Sequence, residues 1–406
     1  MWCNLGLLVV ILFHGIHGAY VEIGYSWSNI TFEGLDLKSY KPRHNVPTAF
    51  AYDATGHKIF ITIPRRLSGV PYTVAELDTV KHPGYPIDRA PELDKFSGKS
   101  SKDFVSAYQP VIDECRRLWI LDVGQVEYSG DNSQKYSKQK PALIVYDLNK
   151  SNYPEVGRYE LSDNVATSPT TFGGYAVDVT NNKGDCSQTF VYITNFGENS
   201  LVVFDQKTKN SWKFTDKSFE PDKESTFSHF NNQSDKYKVG LFGITLGDRD
   251  NAGNRPAYYI AGSSTKVYSV NTKQLKTKGT TLTPKLHGDR GKHTDAIALA
   301  YDSVHKVIFF AESDTRQVSC WHVDMELKPE NTDVIYSYAR FIFGTDISID
   351  SENYLWFLSN GYPPINDAEK LKFDNRKIRL MRVATERVVK YAKCNPNYKA
   401  PPSIPV

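Results

Sequence analysis

The sequence predicts an all-β protein, a β-propeller of six blades around a central ligand channel. Two observations support this fold class. A strand-pair motif occurs six times along the chain, and helical periodicity is almost absent outside short stretches near Ala75 and Asp367. Each copy of the motif has an apolar or alternating run, often an Asp with turn residues, and then a tight aromatic-aliphatic strand. Such repeats at intervals of one supersecondary unit are typical of ring or solenoid architectures.

Each copy is centred on one aromatic residue. The six centres are Phe60, Trp119, Tyr192, Tyr259, Phe309 and Trp356. Successive centres are about 47 to about 73 residues apart, which is one four-stranded blade plus loops. The runs 53–56 and 350–353 have the composition of hairpin turns, and further strands are expected at 142–148, 200–206 and 266–271. The competing fold, a pair of β-sandwiches, is disfavoured by six equivalent copies.

The first eighteen residues have the composition of a secretory signal peptide. Leu5 to Phe13 is an almost unbroken apolar run, too short to span a bilayer, and the small residues Gly15 and Gly18 precede Ala19. The alternative is a buried N-terminal strand. We therefore expect a signal peptide at 1–18, a single propeller domain at 19–406, secretion, and no membrane anchor.

Four cysteines remain once Cys3 has left with the signal peptide. Four cysteines allow three disulfide pairings. We favour Cys115–Cys186 and Cys320–Cys394, because these bonds join neighbouring parts of the chain. The absence of a CxxC motif argues against zinc and thiol redox chemistry. Three sequons mark potential glycosylation sites, at Asn29, Asn149 and Asn232.

Charge and motifs exclude several function classes. The net charge is +3 and the lysines are scattered, so nothing indicates nucleic-acid binding. The chain has no GxSxG, HExxH, Walker or GxGxxG signature. We interpret the segment 288–291, which His287 and His293 flank, as an exposed turn in preference to a metal site, and 248–250 as a hairpin loop in preference to a calcium loop. No metal and no cofactor are expected.

Blade starts are the expected location of a binding site, since inner strands of a propeller begin at the mouth of its channel. The segments concerned are 108–110, 172–175, 241–243, 294–295, 344–346 and 360–362. Aromatic walls together with Thr, Asn and carbonyl acceptors suit a flat aromatic ring that carries an ammonium group. For each aromatic, the alternative role is packing between blades; for Asn360 it is an Asn-Gly turn.

The chain resembles the yellow / major royal jelly protein family, and within it the yellow-related salivary proteins of blood-feeding sand flies. The stretches that carry the resemblance are 25–27, 42–43, 60–65, 108–110, 115–119, 122–124, 344–346, 360–362 and 394–396. The resemblance implies a six-bladed propeller that binds biogenic amines (serotonin, catecholamines, histamine) in its central channel. It also implies two disulfides, consistent with the pairing above. Such a protein scavenges host amines during feeding.

By position, the resemblance implies that Thr345 and Asn360 hold the amine nitrogen. It implies that Tyr108, Phe242 and Tyr362 wall the aromatic ring. Tyr362 stands where related binders often have Phe, and either Leu241 or Phe242 faces the channel. We expect a monomeric binding protein with no catalytic residues.

Two other function classes are compatible with the resemblance. Some relatives are linked to dopachrome conversion, which needs a base near the ring. Asp295 and Asp346 are the channel candidates for that base, although turn capping would also explain them. The third class is a storage protein; such relatives carry repetitive tails, whereas this chain ends in a short Pro-rich segment, 401–406.

Overall fold

The computed structural model describes residues 22–35, 40–84, 90–126, 138–180, 186–223, 225, 238–338, 341, 343–360 and 378–399. The expected signal peptide at 1–18, the sequon at Asn232, the helical stretch near Asp367 and the wall residue Tyr362 lie outside these ranges.

Six antiparallel sheets of four strands make up the described fold. The first sheet contains β2 (Ala49–Asp53), β3 (Lys58–Thr62), β4 (Val74–Asp78) and β5 (Asp94–Lys95). The second contains β6 (Ala107–Ile112), β7 (Arg117–Asp122), β8 (Ala142–Asp147) and β9 (Glu155–Glu160). The third contains β10 (Phe172–Val179), β11 (Thr189–Asn195), β12 (Ser200–Asp205) and β13 (Asn210–Thr215). The fourth contains β14 (Leu241–Leu246), β15 (Pro256–Ala261), β16 (Lys266–Asn271) and β17 (Lys285–Asp289). The fifth contains β18 (Ala296–Asp302), β19 (Val307–Glu312), β20 (Gln317–His322) and β21 (Thr332–Ser337). The sixth contains β22 (Gly344–Ile349), β23 (Tyr354–Ser359), β24 (Ile378–Ala384) and the N-terminal strand β1 (Glu22–Trp27).

The six sheets are the blades of a propeller, which confirms the predicted fold class. The inner strands β2, β6, β10, β14, β18 and β22 contact one another in that order, and β22 contacts β2 to close the ring. We call the end of the ring where these inner strands begin the upper face, and the opposite end the lower face. The strands expected at 142–148, 200–206 and 266–271 are third strands, each followed by a further outer strand.

The recurring Asp of the motif fixes the first hairpin of a blade. In blade 2, Asp113 accepts hydrogen bonds from the backbone N–H of Arg117 at 2.9 Å and from Nε1 of Trp119 at 2.8 Å. In blade 6, Asp350 accepts a bond from Nε1 of Trp356 at 2.7 Å. One carboxylate therefore orders the turn and orients the aromatic at the centre of the next strand, which explains why both residues recur in the sequence.

The core lies between neighbouring blades. The six motif centres are at most 2% exposed, and each packs against side chains of an adjacent sheet. Within the described ranges, α-helix is limited to two short segments, α1 (Thr272–Leu275) and α2 (Thr385–Val389), and the other helical segments are single 3-10 turns. The helical stretch expected near Ala75 is wrong: Ala75 is fully buried in β4 and pairs with Ile61 and Lys95.

Both ends of the described chain are tied into the ring. Strand β1 pairs antiparallel with β24, so the last blade takes its outermost strand from the N-terminal side. The disulfides join Cys115 to Cys186 and Cys320 to Cys394, as expected from the sequence. The first links blades 2 and 3 at the lower face, and the second ties the segment after α2 to β20.

Candidate functional site

β-Bulges mark the upper face. In five blades the ladder between the first two strands shifts register at the start of the inner strand. The residues at these shifts are 108–109, 173–174, 242, 297 and 345. A bulged residue is left out of the ladder and its side chain is re-aimed. Three residues expected from the sequence to bind a ligand, Tyr108, Phe242 and Thr345, therefore lie at equivalent bulge positions of three blades.

Phe242 and Leu241 have different environments. Leu241 is fully buried between blades 3 and 4, where it packs with Leu201 and Tyr259. Phe242 is the bulged residue and is only partly buried, and its ring stacks on Phe196 with centroids 5.1 Å apart. Of the two, Phe242 is the side chain that is turned out of the core at the upper face.

Phe242 belongs to an apolar group drawn from four blades, which we call the upper apolar cluster. Its members are Phe196, Val239, Phe242, Ile297 and Phe343. Ile297 and Phe343 were missed as candidate site residues in the sequence. The signal for Ile297 was present, since it follows Thr294–Asp295 at a blade start. Phe343 directly precedes Gly344 and Thr345, so the cluster adjoins the bulge of blade 6.

Polar groups occupy the seam between blades 6 and 1. Asn360 donates from Nδ2 to the Pro47 carbonyl at 2.8 Å, and its backbone N–H donates to the Phe343 carbonyl at 3.2 Å. The Asn360 side chain is 2% exposed. Asn360 therefore does more than form a turn, because it fastens blade 6 to the segment that leads into blade 1.

Three hydroxyl groups at this seam lack hydrogen-bond partners within the described part of the chain. They are buried Oγ atoms of Thr48, Thr345 and Ser359. Thr48 follows Pro47, and Ser359 precedes Asn360 and pairs with Gly344 across the first ladder of blade 6. An unsatisfied buried hydroxyl costs roughly 1–3 kcal/mol, so such groups are rare unless something occupies the space beside them.

Asp346 lies directly after the bulge of blade 6 and is buried. Its carboxylate accepts hydrogen bonds from the backbone N–H of Phe50 at 2.9 Å and of Ile347 at 3.0 Å. Burial raises the pKa of Asp346 to about 7, against the effect of these two bonds. Burial also raises the pKa of Tyr175, with a further contribution from the charge of Asp346. Because Tyr175 belongs to blade 3, the field of Asp346 reaches the opposite side of the ring.

Of the two predicted wall residues that the structure describes, Tyr108 has the more enclosed ring. It is 5% exposed and packs with Phe172 and Tyr175 between blades 2 and 3, so it is separate from the upper apolar cluster. The guanidinium carbon of Arg66 lies 5.7 Å from its ring centroid. Blade-to-blade packing, the alternative considered for each aromatic, accounts for most of the Tyr108 surface.

Two glycines let blade 3 approach both of its neighbours. A Cβ on Gly173 would lie 3.0 Å from the Phe242 carbonyl oxygen of blade 4, and one on Gly174 would lie 3.1 Å from Gln109 Oε1 of blade 2. The Gln109 amide oxygen accepts the backbone N–H of Tyr175 at 3.0 Å. With glycine at both positions, the bulge of blade 3 itself contributes no side chain to the upper face.

A profile of the major royal jelly proteins matches residues 105–394, which cover all of blades 2 to 6 except β1. The chain belongs to this family. A yellow-related salivary protein of Lutzomyia longipalpis is 62% identical over 405 residues, with 98% of each chain covered. One of Phlebotomus orientalis is 58% identical, with 96% of this chain and 97% of the relative covered.

The resemblance to the yellow-related salivary proteins is thereby confirmed. The names of these two relatives describe salivary proteins and no enzyme activity. Among solved structures, a luciferin-regenerating enzyme matches at a TM-score of 0.46 and 9% identity, with 85% of this chain and 92% of that chain covered. That similarity is too low to carry an argument.

The segments around His287 and Asp250 were interpreted from the sequence as a turn and a hairpin loop. His287 does not lie in an exposed turn: it is in β17, its Nε2 is 2.8 Å from the Ser269 hydroxyl, and burial lowers its pKa to about 4. His293 is exposed, and Asp250 caps the predicted hairpin loop through the N–H of Ala252. No group of three or more His, Cys, Asp or Glu in the described ranges could hold a metal ion.

Asp295, the other candidate base, accepts a hydrogen bond from the Ser225 hydroxyl. Burial and the charge of Asp295 raise the pKa of Asp314 to about 7. The sequon residues Asn29 and Asn149 are exposed. None of the described helices is long and apolar enough to cross a membrane.

Proposed function

We propose that this protein is a secreted salivary binding protein that captures aromatic biogenic amines, namely serotonin, catecholamines or histamine, at the upper face of the propeller. It would do so by stoichiometric binding, and would thereby remove host vasoactive and inflammatory amines at the feeding site. The observation that supports this most is the buried Thr345 hydroxyl without a partner beside the upper apolar cluster.

The chemistry of the two neighbouring regions matches the two ends of such a ligand. An ammonium group donates up to three hydrogen bonds, and the seam of blades 6 and 1 offers acceptor oxygens on Thr345 and Asn360. An aromatic ring needs flat apolar walls, which Phe242 and Ile297 supply from blades 4 and 5. Tyr362 joins these walls in the proposal through the family resemblance alone.

The family context supports secretion into saliva. Relatives that match nearly the whole chain are salivary proteins, and the sequence of residues 1–18 has the features of a signal peptide.

Dopachrome conversion is the second candidate function, and Asp346 is the observation in its favour. A base works best with a pKa near the working pH, and the pKa of Asp346 is about 7. However, both carboxylate oxygens already accept backbone N–H groups. A base held in this way is poorly placed to take a proton from a ligand ring, so binding without turnover remains the better interpretation.

The proposal is tested by calorimetric titration of the purified protein with serotonin, noradrenaline and histamine. We expect saturable one-to-one binding that is lost in the double variant Thr345→Ala, Asn360→Ala. The matched control is Thr283→Ala, Asn251→Ala, which makes the same substitutions at exposed positions. Absence of binding by the wild-type protein to all three amines would refute the proposal, as would equal loss in both double variants.

A further inference from the structure

We infer that Asp346 is the buried counter-charge of the bound amine, so that the site selects cationic ligands over neutral ones of the same shape and couples their capture to release of a proton. This inference rests on the proposed function, and it adds a specificity-determining residue that acts from behind the acceptor oxygens.

Asp346 lies at the seam between blades 6 and 1. It follows the bulged Thr345 directly, and its carboxylate is tied to Phe50 of blade 1 and Ile347 of blade 6. These bonds fix the carboxylate at the same seam as the unpartnered hydroxyls of Thr48, Thr345 and Ser359. The seam therefore brings a buried carboxyl group and three hydroxyl oxygens to the same end of the ring, and such acceptor groups suit a cation.

No cationic side chain in the described ranges compensates the charge of the Asp346 carboxylate. Asp346 is 3% exposed, and within the described ranges it forms no ion pair with Lys, Arg or His. A buried carboxylate without a cationic partner is costly, and proteins normally supply one. The hydrogen bonds that its carboxylate accepts within the described ranges come from two neutral backbone N–H groups. A cation that arrives with the ligand would provide the missing compensation.

The other titratable groups near Asp346 are acidic groups and tyrosines. The described strands packed against it are β2, β18, β19 and β23, with β10 across the ring. The titratable or charged side chains at the lower ends of these strands are Tyr52, Asp53, Asp178, Tyr301, Asp302 and Tyr354. Those at the upper face are Tyr175, Asp295 and Glu312. The Glu312 carboxylate accepts hydrogen bonds from the side chains of Ser319 and Gln317, and the Asp295 carboxylate accepts one from the Ser225 hydroxyl.

Tyr175 is neutral at physiological pH, since the ordinary pKa of a tyrosine is already 10 and burial raises it further. Its hydroxyl donates to the Trp119 carbonyl at 2.8 Å. No cation from these elements neutralises Asp346. Its charge is therefore available to a ligand, and a bound ammonium favours the ionised form of the carboxyl.

The test compares serotonin with 5-hydroxytryptophol, which has the same ring and a neutral hydroxyl in place of the ammonium group. Titrations of the wild-type protein are made at pH 6 and pH 8 in buffers of different ionisation enthalpy, so that proton release is measured directly. Since the free carboxyl has a pKa of about 7, we expect serotonin affinity to fall about 10-fold from pH 8 to pH 6. Serotonin binding at pH 6 should release close to one proton, and the neutral analogue should release none.

Asp346→Asn tests the residue itself, with Asp163→Asn as the control that removes the same charge from an exposed position. We expect Asp346→Asn to lower the ratio of serotonin affinity to analogue affinity at pH 8 by about 10- to 50-fold. It should also abolish proton release, and the control should change neither. Because the wild-type measurements need no variant, the inference stays testable if Asp346→Asn does not fold.

The two proposals fail in different ways. If the wild-type protein binds neither serotonin nor the analogue, the proposed function is wrong. If it binds serotonin with no proton release at pH 6 and no preference over the analogue, amine binding stands and the role of Asp346 is refuted.

Discussion

Replacement of Thr345 by Val should have opposite effects on stability and on binding. The Thr345 hydroxyl is buried and has no partner within the described residues, so the free protein carries its desolvation cost of roughly 1–3 kcal/mol. Val has nearly the same shape and no polar atom. We therefore expect Thr345→Val to raise the free energy of unfolding by about 1 kcal/mol. A hydrogen bond to a charged donor contributes about 1.5–3 kcal/mol, so amine affinity should fall about 10- to 150-fold.

Urea denaturation without ligand measures the first effect, and calorimetric titration with serotonin measures the second. Thr272→Val is the matched control, because the Thr272 hydroxyl is also buried but accepts the backbone N–H of Arg255 at 2.9 Å. This control should lose about 1 kcal/mol of stability and bind serotonin normally. A destabilised Thr345→Val with unchanged affinity would refute the reasoning, since the hydroxyl would then have a structural role.

Three further perturbations separate packing, cross-linking and ionisation. Leu241→Ala should destabilise the protein by about 2–5 kcal/mol in urea denaturation and leave amine affinity unchanged, whereas Phe242→Ala should reduce amine affinity. Loss of affinity in Leu241→Ala but not in Phe242→Ala would contradict the orientation of the bulge. Replacing Cys320 and Cys394 together by Ser should lower the free energy of unfolding by about 4 kcal/mol under non-reducing conditions, because the disulfide closes a loop with a sequence separation of 74. A loss of stability below about 1 kcal/mol would contradict this explanation by loop entropy. Finally, the raised pKa of Asp346 means that the folded state keeps a proton that the unfolded chain releases. Relative to Asp346→Asn, wild-type stability should therefore be highest below pH 3.8 and fall as the pH rises to about 7, by up to about 1.4 kcal/mol per pH unit; a difference that does not vary with pH would contradict the shift.

The repeat determined how much of the fold could be predicted. Each blade contains one fully local unit, the first hairpin, in which Asp113 or Asp350 orients the following Trp. Local units of this kind leave a readable pattern in the sequence. Strand β1 had no such pattern, because its partner β24 is far away along the chain. The helical reading of Ala75 failed for a related reason, since burial between β3 and β5 decided the conformation of a short apolar run.

The candidate site was predictable only in part. Blade starts could be located from the repeat, and this identified the positions of Phe242 and Thr345. The bulges that re-aim these side chains depend on pairing with the second strand, which the sequence does not display. Burial of Asp346 and the contact of Asn360 with Pro47 arise from the closure of the ring between blades 6 and 1. They join residues separated by about 300 positions, so no local sequence pattern predicts them.

The pairing of β1 with β24 has a consequence for the order of events during biosynthesis. Glu22 pairs with Arg382, so the last blade needs one strand made at the start of translation and three made near its end. Until the final strands emerge, β1 has no partner, and an unpaired strand edge is prone to associate with other chains. Closure also brings together ends separated by about 360 residues, which adds an entropic barrier late in folding. The polar seam of blades 6 and 1 is completed by the same event, so the chain acquires the proposed binding site only when its ring closes.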